Sequence, residues 1–208
     1  ENKMANANSQ GFGLKAAMRV GNTPAIQGQS KYQIDAGHGA NIFQGEPVKV
    51  NIHASTGGYI TTAAAGTAMV GVLNGVTYTD ATSKKPTFSN FFPTGTTPAN
   101  SEDVTAFVND DPFQEYIIAT DATLGGSVAA RQSKVGQTYA TTAAAGSTST
   151  GLSSVRLGIS TAATTAKQLR VVRIAEDPEN KDQTAANCSV IVKVNLHQYL
   201  VGSLATGI

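Results

Sequence analysis

Val48, Val50 and Ile52 alternate with Lys49, Asn51 and His53, the period of two that sets one face of a strand on a core and the other in water. Small, turn-prone residues follow from Ala54 to Gly58. The chain returns through Tyr59-Ile-Thr-Thr, turns again near Gly66 and enters Met69-Val-Gly-Val-Leu, an apolar run of strand length. This pattern predicts a three-stranded meander. Downstream, Ala106-Phe-Val, Phe113 to Ala119, Leu169 to Ala175 and Cys188 to Leu196 carry the same strand signature between segments of turn chemistry. Val128-Ala-Ala-Arg and the segment at Val135 fall within this second β-region. One modest helix candidate stands out, Ile159 to Lys167 with Ser160 as N-cap, while Leu14 to Val20 has room for a short helical turn that Gly11, Gly13 and Gly21 closely bracket.

The expected fold is therefore mainly β, an antiparallel β-sandwich or β-barrel (β-tulip-like) with an extended N-terminal arm and at most one or two short helices. The expected organisation is an arm over 1–39, a first β-subdomain with an aromatic loop over 40–103, and a second β-subdomain over 104–208. The arm holds six glycines, and its Phe12, Leu14, Met18, Val20, Ile26, Tyr32 and Ile34 follow no sustained period. That many large apolar groups suit a segment that becomes ordered against its own domain or a neighbour. In the loop Asp80 to Asn100, Pro86, Pro93 and Pro98 break regular structure around Phe88, Phe91 and Phe92. Such rings either fold back over the core or project to anchor a partner.

Tyr59-Ile-Thr-Thr-Ala-Ala-Ala-Gly is echoed by Tyr139-Ala-Thr-Thr-Ala-Ala-Ala-Gly. The echo leaves two readings open, a duplicated strand-and-loop unit or a coincidence of low-complexity sequence.

Charge changes the picture mainly by exclusion. Charged residues are 14% of the 208, the net charge is +1, and the longest basic run is Lys84-Lys85, so the electrostatic footprint of a nucleic-acid partner is missing. The single Cys188 has no partner for an internal disulfide and reads as a small apolar group at a strand start. No window approaches the length of a membrane-spanning helix. The stretch ENKMANANSQGFG lacks the apolar core of a secretory signal, and Met4 is a candidate natural start preceded by an extension.

The available chemistry is sparse. His38, His53 and His197 share no metal-ligand spacing and read as surface or turn residues. Asp110-Asp111 and Glu176-Asp-Pro-Glu read as turn and capping groups rather than a Ca2+ site. No nucleophile elbow, phosphate loop or dinucleotide fingerprint stands in the required strand and helix context. The expectation is a protein that is not an enzyme, with no cofactor and no metal, suited to surface contact rather than turnover.

Several stretches carry a resemblance: Ile42-Phe-Gln-Gly-Glu-Pro-Val-Lys-Val, Ile60-Thr-Thr-Ala-Ala-Ala-Gly, Val70-Gly-Val-Leu-Asn-Gly-Val-Thr-Tyr-Thr-Asp, Phe107-Val-Asn-Asp-Asp-Pro-Phe, Asp177-Pro-Glu-Asn and Val192-Lys-Val-Asn-Leu-His-Gln. Together, over roughly Phe12 to Leu200, the chain resembles small virion structural proteins of tailed bacteriophages, especially marine podoviruses. Its first half is similar in style to head decoration, or cement, proteins. The resemblance implies a capsid decoration protein, a homotrimer made in the host cytoplasm and bound to the outer surface of the virion's capsid. Its partner would be the major capsid protein, which it would brace against internal DNA pressure, with no nucleic acid and no membrane involved. On this reading Phe12, Leu14, Met18, Val20 and Ile26 bind the capsid, while Phe88, Phe91, Phe92, Tyr199, Leu200 and Leu204 contact a subunit or neighbour. A tail, neck or fibre-associated virion protein is the main alternative, and a carbohydrate-binding β-module the third. A major capsid protein would need a long spine helix and an acidic extended loop, and neither pattern is present.

Overall fold

The computed structural model describes residues 10–21, 24, 28–52, 57–142, 144–160, 166–176 and 184–200. The chain is mainly β and builds two antiparallel sheets. The first runs in the order β1 (Lys15–Arg19), β8 (Gln114–Ala119), β11 (Ser189–Val194), β10 (Leu169–Ile174) and β9 (Thr138–Tyr139). The second runs β2 (Ser30–Ile34), β7 (Val104–Asn109), β5 (Gly71–Thr79), β3 (Pro47–Val50) and β4 (Ile60–Thr62), with β6 (Pro86–Ser89) alongside the far half of β5.

Strand alternation places the cores. Val190, Val192 and Val194 of β11 are buried with Tyr116 and Ile118 of β8 and Leu169 and Val171 of β10, while Ile191 and Lys193 lie half-buried on the opposite face. The second sheet curls until its outer strands touch at one parallel bridge, Gln33 to Tyr59, without closing into a barrel. Inside that curl sit Ile34, Val48, Ile60, Leu73, Val104, Ala106 and Val108, capped by Ile42 and Phe92 from the connecting loops. Val72 and Leu73, adjacent on β5, join different cores. Consecutive strand residues face opposite ways, so Val72, with Met69 and Ala63, ties the outside of the curled sheet to the first core. A β-sandwich fits this arrangement. At 208 residues the chain is large enough to bury both cores.

Several expectations are revised. Leu14 to Val20 contains a strand, not a helical turn: β1 pairs with β8 through Lys15–Ile117 and Ala16–Tyr116. A segment this short has no helical stability of its own, so pairing decides its form. The span expected as an extended arm supplies one strand to each sheet, β1 to the first and β2 to the second. The boundary expected at residue 104 falls at the start of β7, which pairs with β2 and β5, so the sheets do not follow the division in sequence. The meander is reordered, because β3 lies between β4 and β5 and pairs with both. Pro86 opens β6 rather than breaking it, a position where a missing N–H is tolerated at an edge.

Val128–Gln132 is a short helix, α1, inside the expected β-region. Ser127 caps it, its Oγ accepting from the Ala130 N–H at 3.1 Å. The helix expected from Ile159 to Lys167 lies largely outside the described residues. Ser160 is described, and its hydroxyl donates to Asp121 Oδ2 at 3.3 Å.

Candidate functional site

The sequence-expected contact residues separate into buried and exposed groups. Leu14 is 3% exposed and packs in the first core, and Phe92 is wholly buried in the second. Neither is available as a surface anchor, because each is already consumed by the interior of its own chain. Phe91 is half-buried and stacks on Phe43 with ring centroids 5.4 Å apart. The aromatic loop thus mostly folds back, and of its three rings only Phe88, 76% exposed, projects. Leu200 is half-buried and Tyr199 exposed. Ile26 and Leu204 lie outside the described residues.

Met18 and Val20 are exposed, and so is Phe113, which sequence reading placed inside a strand. Val20 N–H donates to the Phe113 carbonyl at 2.9 Å, and Gln114 Nε2 donates to the Met18 carbonyl at 3.0 Å. Three large apolar side chains therefore gather on β1, an outermost strand of the first sheet, on the residue that follows it and on the turn before β8. Outer strands carry unpaired backbone groups that accept another chain.

Behind this edge lies a polar cluster built on the turn after β7. Asp110 accepts from Ser30 Oγ at 2.9 Å and from Tyr32 Oη at 2.8 Å, and Asp111 pairs with Arg19 at 2.7 Å. Asp111 also accepts from the Phe113 N–H, the turn-capping work the sequence suggested, while Asp110 tethers two side chains of β2. Burial and the bond to Asp110 push the Tyr32 phenol well above its usual range. His197 corrects the sequence reading, since it is buried rather than at the surface. Its Nδ1 accepts from the Tyr199 N–H at 3.1 Å, which assigns the proton to Nε2, 3.1 Å from the Asp110 carbonyl. Burial holds this imidazole below its usual pKa. His38 is half-buried, edge-on to Phe92, and is likewise lowered by burial; His53 lies outside the described residues.

Two of the cavities that border the second sheet bear on the sequence reading. One, of about 400 Å³, brings the echoed loops together: Thr62 to Ala65 face Thr141, Thr142, Ala144 and Ala145 beside Glu46. Burial raises the Glu46 carboxyl, which accepts from the Phe43 N–H at 2.9 Å. The echo marks no repeated unit, because β4 pairs with the strand before it and β9 with the strand after it. The other cavity, of about 300 Å³, opens between the sheets and is bordered by Phe12, Lys15, Asn74 and Asn109. Among the described residues no three His, Cys, Asp or Glu side chains gather as a metal site would require. No described helix is long and apolar enough to cross a membrane.

Compared with known proteins, the chain matches no family model, no curated protein and no solved structure.

Proposed function

We propose that this protein is a phage capsid decoration protein that docks on the major capsid protein through the β1 edge. The observation that carries the reading is the exposed group Met18 on β1, an outermost strand, Val20 just after it and Phe113 on the adjoining turn before β8. An apolar group beside unpaired backbone is what strand addition uses, with main-chain bonds supplying affinity and side-chain pockets supplying register. A protein that binds only the assembled shell stabilises it by the binding free energy at every occupied position. In a homotrimer the exposed Tyr199 and Phe88 face neighbouring copies. The low charge of the chain suits an interface that tolerates salt.

The test is binding of purified protein to capsids that lack it. Removing residues 1–39 would delete β1 and β2, one strand from each sheet, so point variants are the proper probe. Met18→Asp with Val20→Asp should leave the circular-dichroism spectrum intact and weaken binding by about 30-fold or more, the consequence of losing two anchor side chains. Undiminished binding of this variant would refute the edge as the docking site. Absence of binding by the parent chain would refute decoration and direct the search to tail or neck components.

A further inference from the structure

Beyond capsid docking, and independently of it, we infer that the cleft between the two sheets is a binding site for a single carboxylate-bearing sugar ring. Asn109 and Val72 are cross-strand partners on β7 and β5. Their neighbours Val108 and Leu73 point into the curled core, so Asn109 and Val72 face the first sheet. Asn109 is 6% exposed, lines the cleft, and its Oδ1 has no hydrogen-bond partner among the described residues. Buried polar atoms are ordinarily paired, and an orphan calls for an outside donor. Turning the amide about its Cβ–Cγ bond lets either end meet a ligand.

The other polar groups converge on the same space. Gln44 Nε2 donates to Asn74 Oδ1 at 2.9 Å, which fixes both amides and leaves Gln44 Oε1 and Asn74 Nδ2 for a ligand. Among the described residues Lys15 is the only charged side chain bordering the cleft, its Nζ held 4.5 Å from the Phe12 ring centroid. Amides that both donate and accept suit vicinal hydroxyls, the apolar wall of Phe12 and Leu152 suits the C–H face of a ring, and the lone cation suits one carboxylate. A volume of about 300 Å³ is the lower end for small-molecule sites, which fits one ring and excludes a nucleotide or a chain of sugars lying wholly inside.

The test is titration of the full-length, isotope-labelled protein with D-glucuronate and, separately, D-glucose, followed by amide chemical shifts. The expected result is saturable movement of the Gln44, Asn74 and Asn109 side-chain amide signals, with glucuronate binding about tenfold tighter than glucose, the worth of one charge-assisted contact. Lys15→Gln should erase that preference, and Gln29→Ala, at an exposed position that also borders the cleft, should weaken both sugars and leave the fold intact. Failure of glucuronate to produce saturable shifts overturns the inference. So does equal affinity for the two sugars, or saturable shifts confined to residues away from the cleft. Because no capsid enters this experiment, its outcome is separable from that of the decoration assay.

Discussion

Arg173→Leu should destabilise this protein far more than a surface position normally permits. Glu115 sits on β8 with its side chain 1% exposed, and its carboxylate is held by Arg173 from β10 across the intervening β11. The contact is a fork: Nη2 to Oε2 at 2.8 Å and Nη1 to Oε1 at 3.3 Å. Losing one partner of a buried pair strands a charge, at about 3–5 kcal/mol. The Arg173 side chain is 39% exposed, so water already screens the cationic half, which argues for the lower end, about 3 kcal/mol. For a chain of this length that loss lowers Tm by roughly 6–12 °C. Urea denaturation should show the midpoint fall with an unchanged slope. The double variant Glu115→Leu with Arg173→Leu should recover to within about 1 kcal/mol of the parent, because two well-packed apolar groups need no counter-charge. A loss below about 1 kcal/mol in the single variant would mean that the pair behaves as an exposed one and would refute this reasoning.

Two aromatics of the Asp80 to Asn100 stretch should separate sharply in the same assay: Phe92→Ala, at a wholly buried site, should cost about 3–5 kcal/mol, and Phe88→Ala, at an exposed one, should stay within about 0.5 kcal/mol. Gly71→Ala should cost about 1–3 kcal/mol, because a Cβ there would strike the Asn109 carbonyl and meet Val108 Cγ1 at 2.8 Å. Burial holds the His197 and His38 imidazoles below their ordinary value, so the unfolded chain takes up protons first and stability should fall as pH drops below about 6.5. The raised Glu46 carboxyl acts in the opposite sense above about pH 4.3, since there the folded state holds the extra proton. Comparing parent with His197→Gln at each pH cancels that contribution, and a variant whose stability keeps the parent's full slope between pH 7 and 5.5 would refute the assignment to His197.

Alternation of single residues was legible without coordinates: Val48 and Val50 fall in β3, Phe113 to Ala119 contains β8, and Cys188 is buried just before β11. What periodicity cannot carry is pairing. Lys15-Ala-Ala-Met-Arg has good helix propensity, yet the partner that makes it a strand is about a hundred residues away, at Gln114 to Ile117. Strand order fails for the same reason, since β3 is drawn between β4 and β5 by contacts no local window contains. The aromatic loop shows the limit for sites. Phe88, Phe91 and Phe92 look alike in sequence, but Phe88 lies on β6 while Phe92 is bridged to Ile42, so only the fold separates projection from burial. Asn109 was invisible as a site residue, reading as part of a turn beside Asp110. Its signal was at most its place next to a run ending in Val108, one position out of phase with the core.

The position of β11 sets a schedule for synthesis. It is the last strand in chain order among the described residues, yet it lies in the middle of the first sheet, between β8 and β10. Until residue 194 has left the ribosome, β8 and β10 have no common partner, and β1 with β8 can form no more than a two-stranded ribbon. The curled sheet has no such wait, because its last strand, β7, ends at Asn109. Nascent chains should therefore acquire the curled half first and carry the first sheet's apolar faces uncovered for some eighty further residues of elongation, several seconds at ordinary rates. A ribosome that stops early would release a half-folded product with two open strand edges, the species on which a chaperone or protease acts.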